Sequence, residues 1–306
     1  MAFDRLEAMR AFCRIVEVGS FTGAAEALKV AKTTISGQVQ GLEALLGVKL
    51  LHRTTRRVSP TTDGAAYYER ARSVLDDLDE LEASVAQSRS VARGRVRVEM
   101  PTGVATCLVI PALPAFTARH PQIQLDIGCS ERVVDLVQEG IDCALRGGVV
   151  TDQDLVCRPV GLMRFCLCAS PGYLLGSTPI QKPDDLLQHR YLGFTFPASG
   201  KPLTPVLHRG DDSFTIEQLP AMRFNNGSAY ITAGLAGLGI VSVPRAEASP
   251  HLATGALIEV LPGWELRSMP ISLVYPYTRH LSARVRAFAE WGTELMASHP
   301  LWTTKR

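Results

Sequence analysis

The sequence predicts a mixed architecture. An all-α-rich winged helix-turn-helix domain comes first, a long linker helix follows, and an α/β region fills the remaining two thirds of the chain. Three observations predict it. Apolar residues recur at three- and four-residue steps in three short runs before residue 47, and again in one long run from Tyr67 to Val85. A basic segment bounded by short apolar stretches follows the third run. From Gly94 onward, two-residue alternation takes over and is repeatedly interrupted by helical material. At 306 residues the chain exceeds what one compact core holds, so two or three domains are expected. With 46% hydrophobic and 20% charged residues it reads as globular rather than fibrous or disordered.

The first helix carries the stripe Leu6, Met9, Phe12 and Val16 and stops at Gly19. Ser20 or Thr22 can cap a second, short helix with Ala24, Ala25 and Leu28 on its apolar side. After a tight connection at Val30-Ala31, a third helix is expected from about Lys32 to Leu46. Its inward face is Ile35, Val39, Leu42 and Leu46, and Gly47 is suited to end it. Two short helices around a tight turn, the second opening on small polar residues, describe a helix-turn-helix. The outward residues Lys32, Thr33, Ser36, Gly37 and Gln40 are compatible with a major groove: short hydroxyls let the helix sit deep, and the amides of Gln38 and Gln40 can meet base edges or phosphates. A helical hairpin with an ordinary solvated face fits this stretch as well.

The next residues separate the two readings. Val48-Lys49-Leu50-Leu51 reads as a short strand, His52 to Arg57 as a basic tip, and Val58-Ser59-Pro60 as the return, which together make a wing. Residues 1–60 hold nine lysines and arginines against five carboxylates, a net of +4, whereas the whole chain carries only +2. Positive charge gathered on the small domain is the footprint of a module that binds phosphate backbones.

The stretch from Phe12 to Arg57 includes Gly19-Ser20-Phe21-Thr22, Ala24-Ala25-Glu26-Ala27-Leu28, Leu46-Gly47-Val48 and Leu50-Leu51-His52-Arg53-Thr54-Thr55-Arg56. It resembles the DNA-binding domain of LysR-type transcriptional regulators. The resemblance implies a recognition helix in a major groove and a wing arginine directed at the minor groove. It and the outward face of the third helix place Lys32, Thr33, Thr34, Ser36, Gly37, Gln40, Arg53, Thr54 and Arg56 on double-stranded promoter DNA. The chain departs from the family pattern at Ala31, which usually is a serine, at Thr33, often a proline, and at Gly37, often a long polar residue. Ala31 forgoes a helix cap worth about 1 kcal/mol. Gly37 and Gly41 each cost up to about 1 kcal/mol of helix propensity and offer no side chain, so fewer direct base contacts are expected.

Thr61 can cap a helix beginning near Asp63-Gly64, in which Tyr67, Ala71, Val74, Leu78, Leu81 and Val85 form the seam of a two-stranded coiled coil. This resembles the family's linker helix and implies a homodimer or homotetramer. Residues 61–92 are therefore taken as linker and hinge, between a DNA-binding domain at 1–60 and a third domain at 93–306. Twofold pairing would bring two recognition helices to successive major grooves, about 34 Å apart.

In the third domain Val96, Val98 and Met100 alternate with polar residues, as do Ile123, Leu125 and Ile127. Further strands are expected at 141–145, 165–169 and 271–275, and a helix at about 281–297. The runs Glu139-Gly140-Ile141-Asp142, Ala144-Leu145-Arg146 and Ala236-Gly237-Leu238-Gly239-Ile240 resemble the family's effector domain. That resemblance implies a two-lobed α/β fold of periplasmic-binding-protein type, with lobe one at 93–161 and 266–306 and lobe two at 162–265. In such sheets ligands sit beyond the carboxyl ends of strands, where helix N-termini converge. Free N–H groups near Thr102 and Gly227 are expected to hold a ligand carboxylate. Thr102 and Ser130 would add hydroxyls, Arg146 a counter-charge, Phe196 an aromatic wall, and Asn226 belongs to the same turn as Gly227. Each also has an ordinary structural role: Thr102 as a cap, Arg146 paired with Asp142 or Glu131, Phe196 in the core.

No H-E-x-x-H, Walker A or G-x-S-x-G pattern occurs, and the seven histidines are far apart in sequence, so neither an enzyme nor a metal site is expected and no cofactor is implied. The glycines of Gly234 to Gly239 end a helix rather than follow a strand, which excludes a dinucleotide loop. The seven cysteines read as free buried thiols of a reducing cytoplasm, and Cys166-x-Cys168 has the wrong spacing for a redox pair. The amino terminus does not read as a signal peptide, and no membrane span is expected. The expected function is a cytoplasmic transcriptional regulator governed by a small organic effector, an aromatic or small carboxylic acid, with RNA polymerase as a further partner. A periplasmic solute-binding protein would leave the basic first domain unexplained. A regulator acting through protein contacts alone remains the alternative.

Overall fold

Asp4 starts helix α1 (Arg5–Val18) by accepting the N–H groups of Leu6 and Glu7 at 3.0 and 3.1 Å, and Gly19, at φ 69°, ends it. The computed structural model describes residues 3–53, 58–85, 92–197, 199–277 and 281–302. The chain forms two units, Met1–Val91 and Ala92–Arg306. In the first unit Ser20 caps α2 (Phe21–Leu28) through the Gly23 N–H at 3.2 Å. Helix α3 spans Lys32–Leu46, and its cap residue Ala31 makes no side-chain cap bond. Strands β1 (Leu51–Arg53) and β2 (Val58–Pro60) pair antiparallel, and α4 follows at Thr62–Val85. Phe12, Ile15, Ala24, Ile35, Val39, Leu42, Leu50, Ala71 and Leu75 form one core.

One buried carboxylate ties the wing to α3. Glu43, 3% exposed, accepts the N–H groups of Leu50 and Leu51 at 3.0 and 3.3 Å and the Lys49 ammonium at 2.9 Å. Burial alone would raise its carboxyl above the ordinary value of 4.5, but the Lys49 and amide hydrogen bonds outweigh it and hold the group lower. Thr61 fastens the other side, donating its hydroxyl to the Lys49 carbonyl at 2.7 Å and accepting the Gly64 N–H at 2.9 Å. Gly64 lies so close to β1 that a Cβ there would collide with the Leu50 carbonyl oxygen.

The linker helix does not use its expected seam in one way. Tyr67 stacks edge-on against Phe12 at 5.5 Å, and Ala71 is buried in its own unit's core beside Leu75, a residue outside that seam. Val74 and Leu81 are left 50% and 59% exposed. The stripe therefore splits: its N-terminal part packs at home, because α1 is there to receive it, and its C-terminal part faces outward. The side chain of Val85 lies outside the described residues.

The second unit holds strands β3 (Gly94–Met100), β4 (Ile123–Cys129), β5 (Cys143–Gly147) and β6 (Leu155–Met163). It continues with β7 (Phe165–Ala169), β8 (Leu192–Phe194), β9 (Val206–Arg209), β10 (Asp212–Thr215) and β11 (Met222–Phe224), and ends with β12 (Val241–Pro244), β13 (Ile258–Val260), β14 (Glu265–Leu266) and β15 (Met269–Pro276). A five-stranded sheet has the order β4-β3-β5-β15-β6, with β3 parallel to β4 and β5, and β15 antiparallel to β5 and β6. A second lobe is built around β7, flanked by β12 and β13, with the β8–β11 pair and the β10-β9-β14 sheet. The chain leaves the five-stranded sheet between Met163 and Phe165 and rejoins it between Leu266 and Met269.

Behind β3 run α5 (Thr102–Val104), a π turn (Ala105–Val109) and α6 (Ile110–Arg119) as one helical stretch. Its 18 residues are apolar enough to cross a membrane by length and composition. Val104, Ala105, Leu108, Val109 and Phe116 instead pack into the lobe-one core with Phe288 and Trp291 of α10 (Ala283–Ser298). On the other lobe α7 (Pro171–Leu175), α8 (Gly227–Leu235) and α9 (Arg245–Ala253) complete the framework. The cysteines are not uniformly buried as expected: Cys13, Cys143, Cys166 and Cys168 are, but Cys129 and Cys157 are exposed and Cys107 is half-buried.

Glu43→Ala is expected to cost about 1–3 kcal/mol, since the Leu50 and Leu51 amides lose their acceptor inside the core. Because the folded carboxyl lies below its unfolded value, Glu43 stabilises the unit above about pH 4.5 and ceases to do so as pH falls through the lower folded value. Glu43→Gln should thus flatten the acid limb of stability against pH, measured by denaturant unfolding of the full chain.

Candidate functional site

The outward face of α3 is polar and solvent-exposed. Lys32, Thr33, Thr34, Gly37 and Gln40 are exposed and Ser36 is half-buried, while Ile35, Val39 and Leu42 turn into the core. Gly37 has open space where a side chain would sit, so no packing requirement explains it. At Gly41 a Cβ would meet the exposed ring of Phe3. Arg53 has its backbone in β1, paired with Val58. Its side chain, with Thr54 and Arg56, lies outside the described residues.

In the second unit, a cavity of about 160 Å³ opens between the lobes. Lobe one contributes Glu99, Met100, Ser130, Glu131, Arg146 and Met269; lobe two contributes Phe194, Phe196, Gly227, Tyr230 and Glu247. Of the residues expected on a ligand, Ser130, Arg146, Phe196 and Gly227 line this cavity. Thr102 stands beside it through its bond to Glu131. Asn226 caps α8, its side-chain oxygen accepting the Ala229 N–H at 3.0 Å. The Ser130 hydroxyl donates to Glu99 at 2.8 Å, and Arg146 donates to the Val134 carbonyl rather than pairing with Asp142 or Glu131. Phe196 packs edge-on against Phe194 at 5.6 Å, and Phe194 lies 5.6 Å from Tyr230. Tyr230 is fixed by donating to the Leu192 carbonyl at 2.6 Å and accepting the Ser242 N–H at 3.0 Å.

The N–H groups expected to be free are occupied. Glu131 accepts the Thr102 N–H at 3.3 Å and is also held by the Gly227 N–H and the Thr102 hydroxyl. The chain thus places its own carboxylate where two helix starts, one from each lobe, converge. Glu247, in the first turn of α9, faces it from lobe two; a Cβ on Gly103 would collide with its carboxylate. Burial, with the negative Glu131 adding, pushes the Glu247 carboxyl up to about 7. Burial likewise raises Glu131, and the Thr102 and Gly227 hydrogen bonds oppose it. Sequence reasoning treated Glu131 only as a possible partner for Arg146 and did not identify Glu247. For Glu131 the available signal was its place at the end of β4; for Glu247 there was none.

A basic helix-turn-helix with a wing, joined to a two-lobed α/β unit with a cavity between its lobes, defines a DNA-binding regulator with an effector domain. The chain matches the model for bacterial regulatory helix-turn-helix proteins of the lysR family over residues 6–65 and that for the LysR substrate binding domain over residues 89–297. An uncharacterised HTH-type transcriptional regulator, YhjC, of Escherichia coli strain K12 is 38% identical over 296 residues, covering 97% of this chain and 99% of the relative. An HTH-type transcriptional repressor of Pseudomonas aeruginosa strain UCBPP-PA14 is 38% identical over 297 residues, covering 97% and 94%. The structure of CrgA, a LysR-type regulator from Neisseria meningitidis, superposes with a TM-score of 0.59 at 31% identity over 94% of this chain and 97% of that one. The chain belongs to the LysR family of DNA-binding transcriptional regulators, and is not an enzyme.

Because the folded Glu247 carboxyl lies above its unfolded value of 4.5, its stabilising contribution is complete below about pH 4.5 and is lost as pH rises through about 7. Glu131, the Cys107 thiol and the α5 and α8 starts are the groups facing it. Glu247→Gln should therefore stabilise the fold more at pH 8 than at pH 5, by roughly 2–3 kcal/mol, read as a larger rise in the midpoint of thermal unfolding at the higher pH.

Proposed function

We propose that the protein binds a partly palindromic promoter site as a homodimer or homotetramer, with α3 in the major groove and the wing at the minor groove. A small organic ligand in the interlobe cleft then shifts the equilibrium between two quaternary arrangements. The coupling requires only that ligand affinity differ between those arrangements. The exposed polar face of α3, in a segment of net charge +4, is the observation that carries the DNA-binding half. Lys32, Thr33, Thr34, Ser36, Gly37 and Gln40 would read or fit the groove, with Arg53, Thr54 and Arg56 on the wing. The cavity supports the ligand half: Ser130, Arg146, Phe196 and Gly227 line it and would contact the ligand, with Thr102 and Asn226 acting through the helix starts. Val74 and Leu81, apolar and exposed seven residues apart on α4, support pairing through that helix. The regulator would act in the cytoplasm, with RNA polymerase as its further partner at promoters.

Three measurements test this reading. Sequencing the fragments that the protein retains from sheared genomic DNA, with and without cell extract, should show peaks over dyads between divergent genes; a flat profile in both conditions overturns it. Lys32→Ala and Arg53→Ala should each weaken operator binding and lower the salt slope by about 1. Leu81→Glu should shift the sedimentation profile towards monomer while the first unit keeps its fold.

A further inference from the structure

The place where a ligand carboxylate would be welcomed, at the converging starts of α5 and α8, is filled by Glu131. A ligand anion would have to displace it, and would then lie against Glu247 as well. Both arginines at the cavity already engage oxygens of the protein itself. Arg132 pairs with Glu139 at 2.7 Å, and Arg146 donates to the Val134 carbonyl with Asp135 and Asp152 in its field. The negative groups are not balanced in the same way. Glu99 receives the Ser130 hydroxyl, whereas Glu247 receives no hydrogen bond and no cation among the described residues, and faces a second carboxylate. The facing wall carries Phe165, Phe194, Phe196 and Tyr230, and aromatic faces attract cations.

We infer that the interlobe cleft takes a small organic cation, an aromatic or aliphatic ammonium, between Glu131 and Glu247 and the aromatic wall, and does not take a carboxylic acid. This rests on the effector-responsive reading above and names the ligand class of that same cleft. The size is suitable: a cavity of about 150 Å³ accommodates a benzene ring, and this one measures about 160 Å³. The departure from the expected carboxylic acid follows from one residue. Glu131 supplies internally the charge that such a ligand would have brought.

The cation also relieves the conflict between the two facing carboxylates. With the ammonium present, both carboxylates ionise, so binding releases a proton from Glu247 and strengthens as pH rises through about 7. A carboxylic acid would show the opposite trend, since it gains from protonated glutamates.

The test uses the full chain with a matched pair of probes, benzylamine and benzoate, and with putrescine as a ring-free cation. Thermal unfolding and titration calorimetry should show stabilisation by benzylamine, with affinity at pH 8 several-fold above that at pH 6, and no response to benzoate. Putrescine binding more weakly than benzylamine would support the aromatic wall. In Glu247→Gln and Glu131→Gln the benzylamine affinity should fall at least tenfold. The comparison of probes on the unaltered chain stands even where a variant fails to fold. Benzoate binding in preference to benzylamine overturns the inference and leaves the effector-responsive reading in place. Benzylamine affinity unchanged in a folded Glu247→Gln overturns it too, as does a response to none of the three probes. Failure of the effector-responsive reading itself would be seen elsewhere, as operator binding that no cell extract alters.

Discussion

A carboxylate held at the meeting point of two helix starts organises the second unit. Glu131 follows the end of β4 in lobe one, yet its acceptors are satisfied by Thr102 of the same lobe and Gly227 of the other. Helix N-termini carry partial positive charge and unpaired N–H groups, so leaving two of them facing each other across an apolar cleft would be unfavourable. Filling that place with a side chain joins the lobes through charge-assisted hydrogen bonds at the point where the cavity begins. Glu247 then enters a region whose positive potential has been spent, and burial raises its carboxyl. The charge balance of the cleft and the chemistry suited to a ligand both follow from where Glu131 sits.

The first unit uses the same device for a different end. Glu43 takes the amides of Leu50 and Leu51, the residue before the wing's first strand and the one that opens it. The Lys49 ammonium is itself exposed, so solvent screens part of its contribution, and the two buried amide bonds add to it. Wing and α3 are therefore fixed to each other, while the helix start lacks a side-chain cap at Ala31. A firm base and an uncapped start suit a helix whose first residues face outward as Lys32, Thr33 and Thr34.

How far the sequence could be read depended on the range of the interactions involved. The bounds of helix α3 were legible to the residue, because apolar positions in step and a closing glycine lie within one short segment, but of its expected inward face only Ile35, Val39 and Leu42 are buried and Leu46 is exposed. The strand at 165–169 was equally plain as a continuously apolar run, while β5 began two residues later than the expected 141. The linker helix was legible as a helix but not in its facing. Periodicity marks an apolar stripe without saying what covers it, and only the packing of Ala71 and Leu75 beside Phe12 divides that stripe.

By itself the sequence determined the order of the parts: helix-turn-helix, wing, linker helix and α/β region. It also determined the family, because the motifs that mark it are contiguous. The tertiary structure alone decided what the cleft contains. Glu131 and Glu247 are more than a hundred residues apart, and neither stands in a local pattern that distinguishes it from an ordinary surface glutamate. Caps and periodicities are encoded among near neighbours, whereas a shared electrostatic site arises only when the chain crosses between lobes and brings distant groups into one field.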